Sequence, residues 1–333
     1  MTFKFLCYFA FAIKNKHFME NESLIQQAWA QLEEGDSQPA RELGEQLIAA
    51  GKQVGYLLKA ASLEQEEDWE AAIRILSAGT EAHPGSWELW LSLGNMQVNL
   101  ENWEAALAAY GRAAACPQAA SGIIELHKAV AYTRMLDFDQ ALNTLQALVG
   151  SEVRNSAFLQ KIELLHQLGH HKLILELVEE ELESLAVPED EEEAREMSRI
   201  CSCIASACWY EEESEEMIQH YLKQAIEYDR TNPENLLLLR EMAADFSDQA
   251  RLYELLLKGK WQEEEGRQAS EFFCAYEVVA DSQEEALAYI RAYEPEPILK
   301  DSLEIVEVDT SEAEEDEPKG IYVVTDLAFV EIE

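Results

Sequence analysis

The sequence predicts a mainly α-helical protein: about six helix–turn–helix repeats plus a cap, followed by a small C-terminal α+β domain. Three observations predict it. A pattern recurs every 34–35 residues. Helix formers (Ala, Leu, Glu, Gln) dominate the first three quarters of the chain. Strand-like runs rich in β-branched and aromatic residues appear only near its end.

The repeat is visible in three segments. Glu67-Asp68-Trp69-Glu70-Ala71-Ala72-Ile73 matches Glu101-Asn102-Trp103-Glu104-Ala105-Ala106-Leu107, and both match Leu136-Asp137-Phe138-Asp139-Gln140-Ala141-Leu142. Asp68, Asn102 and Asp137 stand where a second helix needs an N-cap acceptor. The aromatic that follows covers the turn, and the alanine three residues later permits close helix approach. Trp69, Trp103, Phe138, Ala72, Ala106 and Ala141 are therefore expected at buried inter-repeat contacts. Upstream lie first helices whose small residues are Ala60, Gly94 and Ala129. Pro84 and Pro117 each break the chain after a second helix. No pair can bury its apolar face alone, so stacking must do it.

These residues resemble the tetratricopeptide repeat family. Trp90-Leu-Ser-Leu93-Gly94, with Ala106, Tyr110, Ala113 and Pro117, runs close to its W-x2-L-G…A-x3-F pattern. The preceding repeat matches in Ala60, Ala72 and Pro84, with Tyr56 for the Trp. The outer repeats rest on spacing: Gly35 with Ala40, Gly169 with Ile174, and a pair from about Arg199 to Asn232. Residues 20–258 are thus assigned to the array, with a last helical pair or cap over 234–258. Val187–Glu193 reads as a solvated acidic insertion.

Residues 260–333 read as the second domain. Glu271–Val279 and Leu303–Val308 are strand-like, and Asp281–Glu284 has capping-box form ahead of a helix. Residues 309–319 form an acidic loop, and Gly320–Ile332 is one long strand or a hairpin turning at Thr325-Asp326.

The formal net charge is −41. It argues against nucleic acid and against anionic membrane surfaces, both of which need excess Lys and Arg. Six cysteines are too sparse for a disulfide framework, and Cys201, Cys203 and Cys208 read as small buried residues of one helix. Reduced thiols point to the cytoplasm. Residues 1–18 form an apolar extension, shorter than the roughly 20 residues a spanning helix needs, with no small-x-small cleavage site. An exported or membrane-tethered protein is the alternative if that extension is a signal.

No phosphate loop, dinucleotide fingerprint, zinc-protease helix or nucleophile elbow is present in the sequence. His166, His170 and His171 read as helix-end and turn residues rather than metal ligands. The expectation is a protein without catalysis, cofactor or metal.

The family resemblance implies that first helices line a concave groove that holds a peptide or helix. Stepping along them gives Leu57 and Ala61, then Leu91, Asn95 and Val98, then Leu126, Val130 and Arg134, then Leu159 with Glu163 and His166. Leu57, Leu91 and Leu126 stand where family members that clamp acidic chaperone tails carry cations or amides, so that subclass does not fit. The charge favours a basic or apolar protein partner. The reading is a non-catalytic interaction scaffold. Its alternative is a regulator whose C-terminal domain binds a small ligand or protein while the array recruits a partner.

Overall fold

The computed structural model describes residues 22–262, 269–314 and 316–330. The expectation for residues 1–18 lies outside them. The chain divides into two compact units, one ending at Val153 and the other beginning at Arg154.

The first unit is built of helix pairs: α1 (Glu22–Glu33) with α2 (Gln38–Ala49), α3 (Gln53–Gln65) with α4 (Trp69–Ala82), α5 (Trp87–Asn99) with α6 (Trp103–Ala114), and α7 (Ser121–Arg134) with α8 (Phe138–Gln146). Each pair turns through one residue in the left-handed region: Gly35 (φ 95°), Glu67 (59°), Glu101 (57°) and Leu136 (61°). Only glycine does this without a steric cost of about 1 kcal/mol. The next residues start the second helices. Asp68 Oδ1 accepts from Ala71 N at 3.0 Å, and Asp137 Oδ1 from Gln140 N at 3.3 Å. Asn102 does not cap. Its amide donates instead to Gln97 Oε1 at 3.0 Å, so α6 starts without a side-chain cap.

Packing follows the repeat. Ala40, Ala72, Ala106 and Ala141 are completely buried. Trp69, Trp103 and Phe138, expected buried, are half-buried. Each opens its second helix at the turn, where part of the ring meets water. Gly94 shows why the first helix needs a small residue: a Cβ there would lie 2.4 Å from Tyr110 Cε1. Consecutive first helices pack more closely on one another than consecutive second helices do, which makes the first helices the inner row.

The second unit holds α9 (Arg154–Gln167) with α10 (His171–Glu181), α11 (Glu191–Tyr210) with α12 (Glu215–Tyr228), then α13 (Pro233–Ala243) alone. The acidic stretch read as part of an insertion is only partly loop. Asp190 caps α11, accepting from Glu193 N at 3.0 Å, and Glu191–Glu193 form its first turn, where carboxylates suit the helix dipole. Cys201, Cys203 and Cys208 are buried in α11 as expected.

The helical array ends at Ala243, not at residue 258. Arg251–Trp261 is a strand, β1, whose buried residues Leu255, Leu257 and Gly259 alternate. Its leucine-rich composition resembles a helix, but its period is two. β2 (Ser270–Ala280), α14 (Gln283–Tyr293), β3 (Glu304–Glu312), β4 (Gly320–Val324) and β5 (Ala328–Phe329) follow. The antiparallel order is β3-β1-β2-β4, with β5 also on β2. β4 and β5 are thus one interrupted strand rather than a hairpin, and β3 takes up the start of the expected acidic loop. The cap of α14 is Ser282, which accepts from Glu285 N at 3.2 Å, while Glu285 accepts from Asp281 N at 2.7 Å.

One core joins the sheet to the last helices: Leu255, Leu257, Phe272, Tyr276 and Val278 pack with Ile290 of α14, Leu222 and Ile226 of α12, and Leu236 and Leu238 of α13. A buried polar clamp reinforces it. Arg230 donates through Nε and Nη2 to Glu294 at 2.9 and 2.5 Å and through Nη1 to Thr325 O at 2.6 Å. Tyr276 Oη donates to Glu294 Oε1 at 2.8 Å, and Tyr293 Oη donates to Arg230 O. The Glu294 carboxylate holds the Arg230 pKa above its ordinary value, although burial opposes this. The sheet is therefore continuous in its core with the helices before it, not a separate domain beginning at residue 260.

Candidate functional site

The structure places most of the expected groove residues inside the core. Leu57, Ala61, Leu91, Asn95, Val98, Leu126 and Leu159 are all buried, none above 8% exposed. The physical reason is geometric. Within the first unit, α3 and α5 each touch their own second helix and the helix pairs on both sides, so several of their faces are covered. An assignment displaced by one position, about 100°, lands on the covered faces. Val130 and Arg134 are half-buried.

The accessible inner stripe of the first unit comes from the last turn of each first helix. Gln65, Asn99 and Arg134 are spaced by 34 and 35 residues. Two of them reach back to the preceding first helix. Gln65 Nε2 donates to Leu32 O at 2.8 Å, and Arg134 Nη1 donates to Asn99 Oδ1 at 3.1 Å. The spacing of polar residues at helix ends was the signal available in the sequence, and a search for apolar groove residues passes over it.

Beside Gln65 lies Glu64, which is half-buried. Burial pushes its carboxyl pKa up to about 7, and no cation stands against it among the described residues. The residue one repeat later is Val98, which is apolar and buried. Tyr110 Oη donates to Asn95 Oδ1 at 2.8 Å, so the buried Asn95 amide is engaged within the helix pair.

In the second unit the first helices of the pairs carry more charge. Glu163 of α9 is paired with Arg199 of α11, and Ser156 Oγ donates to Glu196 Oε1 at 2.7 Å. Burial pushes the Glu163 carboxyl up to about 7 despite that guanidinium, and Glu196 is raised for the same reason. His166, His171 and Tyr210 cluster with tilted and edge-on rings, the two imidazoles 4.9 Å apart and the Tyr210 ring 4.4 Å from His171. Among the described residues no group of three metal-ligating side chains converges, and no helix is long and apolar enough to cross a membrane.

No protein-family model matches the chain, and no curated protein matches it in sequence. Solved structures do match in fold. The crystal structure of the APC/C hetero-tetramer Cut9–Hcn1 matches with a TM-score of 0.50 at 11% identity, over 72% of this chain and 45% of that one. This chain thus corresponds to less than half of that one. PilW, a type IV pilus biogenesis factor, matches with a TM-score of 0.48 at 16% identity, over 67% of this chain and 100% of that one. YrrB, described as a TPR protein with an unusual peptide-binding site, matches with a TM-score of 0.35 at 15% identity, over 59% of this chain and 96% of that one. By its helix-pair architecture, its 34–35-residue register and its likeness in fold to the Cut9–Hcn1 structure, this chain has a TPR-like helix-repeat fold with a small C-terminal sheet.

Proposed function

We propose that the protein is a non-catalytic interaction scaffold that receives a peptide or helix of basic or apolar character on the inner row of its first unit. The observation that carries this reading is Glu64, a half-buried carboxyl with no cation against it, on the same row as the half-buried Val130. Such a carboxyl gains its counter-charge when a Lys or Arg is brought to it, and Val130 supplies apolar contact. The net charge of −41 steers a basic segment toward the chain and sets the association rate more than the lifetime of the complex.

Affinity capture with the full chain, followed by mass spectrometry, tests this reading. Partners captured by the wild type should be lost with Val130→Glu and reduced with Glu64→Gln. They should be retained with Glu104→Gln, an exposed position on a second helix. Capture unaffected by both inner-row variants would remove the first unit's inner row as the site.

A further inference from the structure

A cavity of 630 Å³ lies inside the second unit, among α12, α13, the C-terminal end of α14 and the start of β4. That volume falls within the roughly 300–1,000 Å³ of small-molecule sites. Its floor is apolar: Leu222, Ile226, Leu236 and Ile321 are all buried. Its mouth is polar and exposed, with Lys300 on its edge.

The cations around the cavity are not equivalent. Lys319 Nζ is consumed by Asp245 and Asp281, each at 3.1 Å, and by Glu285 at 2.9 Å. Lys223 stands 3.6 Å from Glu227 on the same exposed helix face. Arg240 is different. It is half-buried in the cavity wall, and no carboxylate lies within ion-pair distance of it among the described residues. Its Nη1 donates to Ile321 O, and its guanidinium carbon sits 3.8 Å from the centroid of the Tyr322 ring. Nε and Nη2 have no protein acceptor among the described residues. Lys300 likewise has no carboxylate partner among them.

The position of Arg240 is built in. Gly320 has φ 139°, a conformation open to glycine, and a Cβ there would lie 2.9 Å from Arg240 Cγ. The absent side chain leaves room for the arginine stem against the strand start, where Arg240 forms part of the cavity wall. The carboxylates that line the cavity do not pair with it: Glu294 is held by Arg230, Glu227 faces Lys223, and Glu296 is exposed, while Glu317 and Glu241 act on it only from beyond ion-pair distance. In a chain with 66 acidic and 25 basic residues, a half-buried guanidinium left without a carboxylate beside an apolar cavity is a vacant anion position.

We propose that this cavity binds a small amphipathic carboxylate, with its apolar body on Leu222, Ile226 and Leu236 and its headgroup on the free fork of Arg240, assisted by Lys300. A planar fork matches a carboxylate through paired hydrogen bonds, and a half-buried one is weakly screened. The site stands independently of the inner row of the first unit.

The test is calorimetric titration of the full-length protein with dodecanoate below its micellar concentration, with dodecanol and dodecylammonium alongside. Dodecanoate should saturate one site, and the other two should bind at least about tenfold more weakly, the factor expected for a charged hydrogen bond. Arg240→Gln should weaken dodecanoate by about tenfold and remove its advantage over dodecanol, while Arg240→Lys restores part of it. Ile226→Trp should exclude both. Lys300→Glu, at an exposed position, should weaken dodecanoate without lowering the melting temperature. If Arg240→Gln fails to fold, the Lys300→Glu arm decides. The absence of saturable dodecanoate binding to the wild type overturns the proposal. So does equal affinity for dodecanol, or unchanged dodecanoate affinity in Arg240→Gln or, where that variant does not fold, in Lys300→Glu. Glu64→Gln should leave this titration unchanged.

Discussion

Tyr110 Oη donates a 2.8 Å hydrogen bond to Asn95 Oδ1, and its ring edge lies against Gly94 so closely that a Cβ there would come within 2.4 Å of it. One second-helix aromatic thus reads two adjacent residues of its first helix, one by contact and one by hydrogen bonding. Tyr110 is fully buried and has no room to retreat.

Gly94→Ala should therefore destabilise the first unit by about 2 kcal/mol through overpacking. Tyr110→Phe should cost about 1–2 kcal/mol, because it leaves the buried Asn95 oxygen without its donor. Urea denaturation of both variants checks this. A Gly94→Ala variant as stable as the wild type would show that the ring yields.

Glu64 makes stability fall as pH rises. Its folded pKa is about 7 against an ordinary 4.5, so the folded state holds more protons between those values. Relative to Glu64→Gln, the wild type should lose about 3 kcal/mol on going from pH 4.5 to pH 8, with most of the loss between about pH 5 and 7. Melting curves of both proteins across that range measure it. Parallel curves would show that the carboxyl ionises without penalty.

His127 acts in the opposite direction. Complete burial in α7 lowers its pKa from 6.5 to about 4. The unfolded chain then binds the extra proton between those values, so stability is full above about pH 6.5 and falls as pH drops toward 4. The loss should approach about 3 kcal/mol. His127→Gln should flatten this acid limb. Denaturation midpoints at pH 4.5 and 7 for both proteins check it, and an unchanged acid limb in His127→Gln would refute the assignment.

The Arg230–Glu294 clamp predicts non-additivity. Glu294 is 1% exposed, so Arg230→Met strands a buried carboxylate and should destabilise the second unit by about 3–5 kcal/mol. Arg230→Met combined with Glu294→Gln should be less destabilising than Arg230→Met alone, because the stranded charge is gone. Thermal unfolding of the single and double variants measures the coupling, and simple additivity would mean that water already solvates Glu294.

The repeat array was legible in the sequence because its cause is local and periodic. The recurrence of Ala72, Ala106 and Ala141, the caps Asp68 and Asp137, and Gly94 opposite Tyr110 are each set by residues a few positions apart or one repeat apart. Cys201, Cys203 and Cys208 are buried as small apolar residues of a helix covered on opposite faces. What only the tertiary structure decided depends on contacts that have no fixed spacing. Leu57 and Leu91 are buried because neighbouring helices cover several faces of α3 and α5, and Leu126 is likewise buried in α7. Arg251–Trp261 became a strand because β2 and β3 flank it, despite a leucine-rich sequence. Arg240 packs on the start of β4 because Gly320, 80 residues later, leaves room for its stem. Helical period and capping act within one turn of chain and are written in it. Face exposure, strand pairing and the fate of a single charge are set by neighbours that only folding supplies.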